Sequence, residues 1–254
     1  MPSFPLVLHT LTAAVRDKMI IALFLAVVLS CSLSVFLGGV AVIEQDYFSI
    51  VFTAAGLRFS VVLGLVLFVV FYIRRSFDNK DVEFLLSRPI SRVQFVASYV
   101  VAFIVLAVVM TLTQAGCLYA MAPHLFGVGH VLWVMSVLAE NVIMVSVALF
   151  FAMYLSSAAT AALGCLAFYA LARLIGQVLG VIDAGISLPG ADFISALMNG
   201  ISLVIPRLDL MAQSSWLVYG VTDPMDFGIV IAQGVIFSVF VFLAASIDLV
   251  RRQF

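Results

Sequence analysis

The chain has 254 residues, of which 65% are hydrophobic and only 10% charged, with a net charge of −1. A soluble domain of this size is about half apolar, so the composition belongs to a membrane protein. Near-neutral charge leaves no broad basic surface for nucleic acid. The three cysteines, Cys31, Cys117 and Cys165, sit inside apolar runs and read as small buried hydrophobes, not as a disulfide framework or zinc site.

In chain order, residues 4–18 come first. They place Phe4, Val7, Leu8, Leu11 and Val15 at helical spacing, with polar residues opposite. The pattern predicts a short helix in the membrane interface, or an extension of the first span anchored by Arg16 and Lys18. The apolar run 19–43 follows. Its opening, RDKMIIALFLAVVLSC, has the form of a lipoprotein signal, but the run continues beyond Cys31 as SLSVFLGGVAVI. That length suits a retained first span.

Five further runs, 52–73, 93–122, 131–154, 158–182 and 227–250, are near or above the length that crosses about 30 Å of hydrocarbon. Residues 1–254 therefore read as a single domain: an all-α integral membrane protein with six transmembrane helices. Lys and Arg collect before the first span (Arg16, Lys18), between the second and third (Arg74, Arg75, Lys80, Arg88, Arg92) and after the sixth (Arg251, Arg252). With six spans these places share one side, expected to be the cytoplasm, with both termini there. The opposite loops carry mostly acids. The turn between the fourth and fifth spans, LSSAAT, has no charge to assign it.

Residues 183–226 form the outer loop before the sixth span. ADFISALMNGISLVIP is apolar but short, broken by Gly200 and ended by Pro206, which predicts a re-entrant or interfacial helix. RLDLMAQSSWLVYG predicts a second short piece, with Trp216 and Tyr219 at headgroup level. In TDPMDF, Asp223 is expected as N-cap, Pro224 at the first helical position and Asp226 in the first turn.

The loop of residues 74–92 is built differently from a plain solvated connection. Asn79 can cap a short helix with Asp81 and Glu83 near its positive end, and Val82, Leu85 and Leu86 share one face. Pro89 disfavours helix at Arg88 and ends the piece. Ser91 and Gln94 form an S-x-x-Q capping box that opens the third span. This stretch, DVEFLLSRPISRVQFVASY, resembles the intracellular loop of type-2 ATP-binding cassette (ABC) exporter permeases. In that family an acid precedes a leucine pair, a small residue, a Pro and a Ser-Arg ahead of the third span. Here these are Glu83, Leu85 and Leu86, Ser87, Pro89, and Ser91 with Arg92. The glycine-threonine pair often found before the leucines is replaced by Asp81 and Val82.

The resemblance implies that two permease copies pair, as a homodimer or with a related chain, each seating Val82, Glu83, Leu85, Leu86, Arg88, Pro89, Ser91 and Arg92 against a separate cytoplasmic ATP-binding subunit. That subunit would hold ATP and magnesium, since this chain has no G-x-x-x-x-G-K-[ST] phosphate loop and no cofactor of its own is expected. The chain would sit in the cytoplasmic (inner) membrane. Lipids, lipid-linked polymers and amphiphiles are compatible cargo.

Arg58, Glu140 and Arg173 lie within apolar runs, where each charge costs a few kcal/mol unless paired or hydrated. Counting 1.5 Å per residue from the basic end places them roughly 21–24 Å up, with Gln233 near the same layer at about 25 Å. Two readings follow. One is a polar layer lining an outer translocation path. The other is a structural pair, Glu140 with Arg173 on the neighbouring span, while Arg58 snorkels outward; a double charge swap should then restore folding. His124 and His130 flank the second outer loop as interfacial histidines, with no metal site expected. Gly38 with Gly39, and Gly176 with Gly180, could allow close helix approach.

Two other functions compete. An intramembrane enzyme needs a reactive set, but the spans hold no His beyond His130 and no matched pair of Asp. A membrane scaffold or assembly factor would instead hold a periplasmic partner through residues 183–226.

Overall fold

The computed structural model describes residues 2–38, 45–82, 91–183, 200, 205–221 and 225–251. These form α1 (Phe4–Arg16), α2 (Lys18–Gly38), α3 (Gln45–Asp78), α4 (Arg92–Met121), α5 (Val128–Tyr154), α6 (Ala158–Asp183), α7 (Ser215–Tyr219) and α8 (Met225–Arg251). Two single 3-10 turns, Pro123–Leu125 and Leu208–Leu210, lie in connections. No strand occurs among the described residues. Six helices, α2 to α6 and α8, are long and apolar enough to cross a membrane.

Asp17 separates α1 from α2. Its backbone is extended, its N–H donates to Ala14 O at 3.1 Å, and its carboxylate accepts from Met19 N at 2.8 Å, capping α2. The first helix is thus a distinct element and not a continuation of the span. Its Leu6, Val7, Thr10 and Ala14 are buried, and Ser3 N donates to Ser98 Oγ of α4 at 2.7 Å. Phe4, Leu8 and Val15, part of the stripe expected to meet lipid, are exposed on the other face. Val7 departs from that expectation because it belongs to the packed side.

The fourth span, α5, is the central helix. It packs against α3, α4, α6, α7 and α8, and 61% of its apolar window is buried, against 22% for α2 and 17% for α8. A polar and apolar mixture such as Ser136, Glu140 and Asn141 can only be tolerated on so enclosed a helix. By contrast α2 and α8 turn apolar surface outward, as lipid-facing helices do. Near one end an aromatic cluster locks α3 to α4: Phe95 and Tyr99 lie 4.8 Å apart, Tyr72 and Tyr99 6.2 Å, Phe68 and Phe103 6.3 Å.

The basic residues gather at that same end and serve helix termini. Arg74 Nη1 donates to Leu155 O, the C-cap of α5, at 3.1 Å, and Arg74 Nη2 pairs with Asp78 at 2.9 Å. Arg92 Nη1 donates to Leu249 O and Val250 O at 3.1 Å each, in the last turn of α8. A cation there satisfies terminal carbonyls and opposes the negative end of the helix dipole. The uncharged turn after α5 is thereby placed at the basic end, which the sequence alone left unassigned.

At the opposite end, α7 lies on the bundle where Gly129 opens a gap. A Cβ at Gly129 would run into the Trp216 carbonyl oxygen. Trp216 and Leu217 are buried with Leu132 and Trp133 in a second core cluster. Trp216 is a packing residue, because the missing Cβ lets the α7 backbone close onto α5. Tyr219 is exposed. Gly129→Ala should therefore lower stability by about 1–3 kcal/mol, the usual cost of overpacking against backbone, checked by the melting temperature of the detergent-solubilised chain.

Candidate functional site

Two places draw the sequence-marked residues together. The first is the basic end. The chain leaves α3 through a turn at Asn79 and Lys80, where Lys80 has φ 61°. Val82 is buried in the main core cluster. Glu83, Leu85, Leu86, Arg88 and Pro89 lie outside the described residues, so the expected helix there has no structural account. Ser91 is the N-cap of α4, its Oγ accepting from Gln94 N at 3.2 Å, as the S-x-x-Q pattern predicts. Arg92 then holds the end of α8, a role the sequence did not indicate. Both ends of the 83–90 segment are accordingly fastened into the bundle.

The second place is the intramembrane polar layer. Residues 205–214 hold only one 3-10 turn, so the carbonyls that it leaves unmet need donors from elsewhere. Arg58 Nη1 donates to Ala212 O at 2.8 Å, and Arg173 Nη1 donates to Met211 O at 2.9 Å and to Leu208 O. Ser136 Oγ accepts from Ala212 N at 2.6 Å. Ala212 has φ 50°, a left-handed conformation that costs an alanine roughly 1 kcal/mol or more. Ser136 and Arg58 hold it there from both sides.

The expected Glu140–Arg173 pair does not form. Arg173 spends its donors on carbonyls, which a planar guanidinium can serve two at a time. Arg58 reaches the outer segment, where Ala212 O engages it. Glu140 is fully buried, and neither carboxylate oxygen has a hydrogen-bond partner. Arg58 and Tyr169 are the groups close enough to act on its charge. Gln233 also carries a buried amide oxygen without a partner. It adjoins Gly234, where a Cβ would stand 2.9 Å from Ala139 Cβ, so α8 crosses α5 beside Glu140.

Sequence reasoning missed the neutral members of this layer. Gln114 Nε2 donates to Leu57 O at 3.1 Å, and Asn141 Nδ2 donates to Thr111 Oγ1 at 3.0 Å. Asn141 could have been found as the neighbour of Glu140, and Ser136 and Tyr169 as polar residues one helical turn before Glu140 and Arg173; Gln114 has no charged neighbour on its helix to mark it.

Arg58 and Arg173 line an open cavity of about 370 Å³, shared with Gly176, Gln177, Asp209 and Gln213. Asp209 is committed to Arg207, with Nη2 to Oδ2 at 2.7 Å. A Cβ at Gly176 would strike the Asp209 carboxylate, so this glycine makes room for the outer segment of its own chain. The residues around the cavity are chiefly donors, suited to holding an anion and not to breaking bonds.

No protein-family model, curated protein or solved structure matches the chain.

The histidines do not join this cavity. His124 Nε2 lies 3.3 Å from Asp46, both exposed, and His130 Nδ1 accepts from Gly127 N at 3.4 Å at the start of α5. Among the described residues no three His, Cys, Asp or Glu side chains are grouped to hold a metal ion.

Proposed function

We propose that this chain is the membrane-spanning permease subunit of an ATP-driven exporter of the type-2 ABC kind. It works as a dimer with separate ATPase subunits that bind ATP and magnesium. The basic end faces the cytoplasm, by the usual bias of Lys and Arg, and the chain resides in the inner membrane with both termini inside. The observation that carries the reading is the fastening of the 83–90 segment. Val82 is anchored in the core on one side. On the other, Ser91 caps α4 and Arg92 grips the last turn of α8. A push delivered to the segment by a partner would move α3, α4 and α8 together, and a merely solvated loop needs no such ties.

The test is co-purification of the tagged chain from its native membranes in mild detergent, followed by ATP hydrolysis. Wild type should carry ATPase activity. Glu83→Arg with Leu86→Asp should reduce it about tenfold or more, the size expected when a docking hot spot is broken, at unchanged yield of the chain. Wild-type preparations with neither activity nor a nucleotide-binding companion would overturn the reading, and a scaffold acting through residues 183–226 would take its place.

A further inference from the structure

We infer that the cavity between Arg58 and Arg173 binds the phosphate headgroup of an anionic lipid or other acidic amphiphile. Counting 1.5 Å per residue from Arg74 places Arg58 about 24 Å from the basic end, and from Ala158 places Arg173 about 22 Å away. Both arginines therefore sit in the outer third of about 30 Å of hydrocarbon, within an arginine side chain's reach of the far headgroups.

Charge points the same way. Among the described residues this cluster holds three cations, Arg58, Arg173 and Arg207, and two acids, Glu140 and Asp209. Asp209 is taken by Arg207, which leaves Glu140 to oppose two guanidiniums. The hydrogen bonds of Arg58 and Arg173 go to neutral carbonyls, and Arg58 Nε is buried with no partner. An uncompensated cation in low-dielectric surroundings draws an anion, and guanidinium geometry matches phosphate oxygens. The cavity volume of about 370 Å³ falls in the range of small-ligand sites.

The surroundings favour an amphiphile over a free ion. Gln177 lines the cavity, and one helical face of α6 carries it on from Leu174 and Leu171, both exposed apolar residues. An acyl chain can lie along Leu171 and Leu174 while its phosphate reaches the two arginines.

Binding is measured on the isolated chain without ATP, so its outcome is separate from that of the transport reading. Isothermal titration calorimetry in neutral detergent would compare dioctanoyl phosphatidate, dioctanoylglycerol and inorganic phosphate. Phosphatidate should bind saturably, and the other two weakly or not at all. Gln177→Glu adds a negative charge at an exposed position and leaves the carbonyl-holding arginines in place. It should weaken phosphatidate binding about tenfold, and Gln177→Lys should strengthen it, both at an unchanged melting temperature. Equal binding of phosphatidate and dioctanoylglycerol, or no response to Gln177→Glu, overturns the site. Inorganic phosphate that binds as tightly as phosphatidate and displaces it overturns the amphiphile as occupant.

Discussion

Replacing Arg173 with leucine is expected to destabilise the detergent-solubilised chain by about 1–3 kcal/mol, because Met211 O loses its donor and Leu208 O keeps only the Met211 N–H. Leu208 and Met211, at the start and the C-cap of a single 3-10 turn, are themselves fully buried. The turn supplies a local donor to Leu208 O, from Met211 N. Arg173→Lys keeps the charge and a nitrogen able to donate twice, as Nη1 now does, but on a shorter and differently shaped side chain, so it should recover only part of the loss. The double charge swap, Glu140→Arg with Arg173→Glu, should fail to restore stability. A glutamate at 173 cannot donate to carbonyls, whatever arginine stands at 140. Melting temperatures by fluorescence-detected size exclusion separate these cases. Rescue by the swap would mean that Arg173 acts through Glu140 and not through the 208–211 backbone.

This contrast marks what was legible in the residues. Run length located the six helices that, among the described residues, are long and apolar enough to cross a membrane, since hydrocarbon thickness sets a minimum that chance seldom meets. Apolar limits are not helix limits, however. The run 52–73 belongs to a helix that extends over Gln45–Asp78, because the ends of α3 continue past the apolar layer on polar residues such as Asp46 and Arg75. The S-x-x-Q signal at Ser91 is local, so the Ser91 N-cap was readable, and the structure shows that half of the expected box. The role of Arg92 depends on the end of α8, far away in sequence, and periodicity carries no trace of that. The same holds for Arg58 and Arg173. Their depth could be counted along each helix, but their partners lie in an outer segment whose position depends on Gly129, Gly176 and Ser136. Intramembrane charges were readable as sites; which groups they serve was not.

The Arg58 and Glu140 couple gives the other large effect. Arg58→Leu should cost about 2–4 kcal/mol, because Ala212 O loses its donor and the buried Glu140 loses a nearby cation. Glu140 is fully buried with no hydrogen bond to either oxygen, so the cation beside it supplies its main compensation. Arg58 also holds Ala212 O, and that second task lets the two contributions be separated. Adding Glu140→Leu to Arg58→Leu removes the stranded acid and should recover most of the loss, leaving about 1–2 kcal/mol for the unmet carbonyl. Glu140→Leu alone should be mild, since the Arg58 hydrogen bond remains and its surplus charge faces the open cavity. The cycle is read from melting temperatures of the four proteins in one detergent. Additive losses would mean that the two side chains do not interact, and that Arg58 contributes only as a clasp on Ala212. Strong coupling would show instead that the buried acid is retained to balance the arginine, which holds an outer segment of the chain against the central helix.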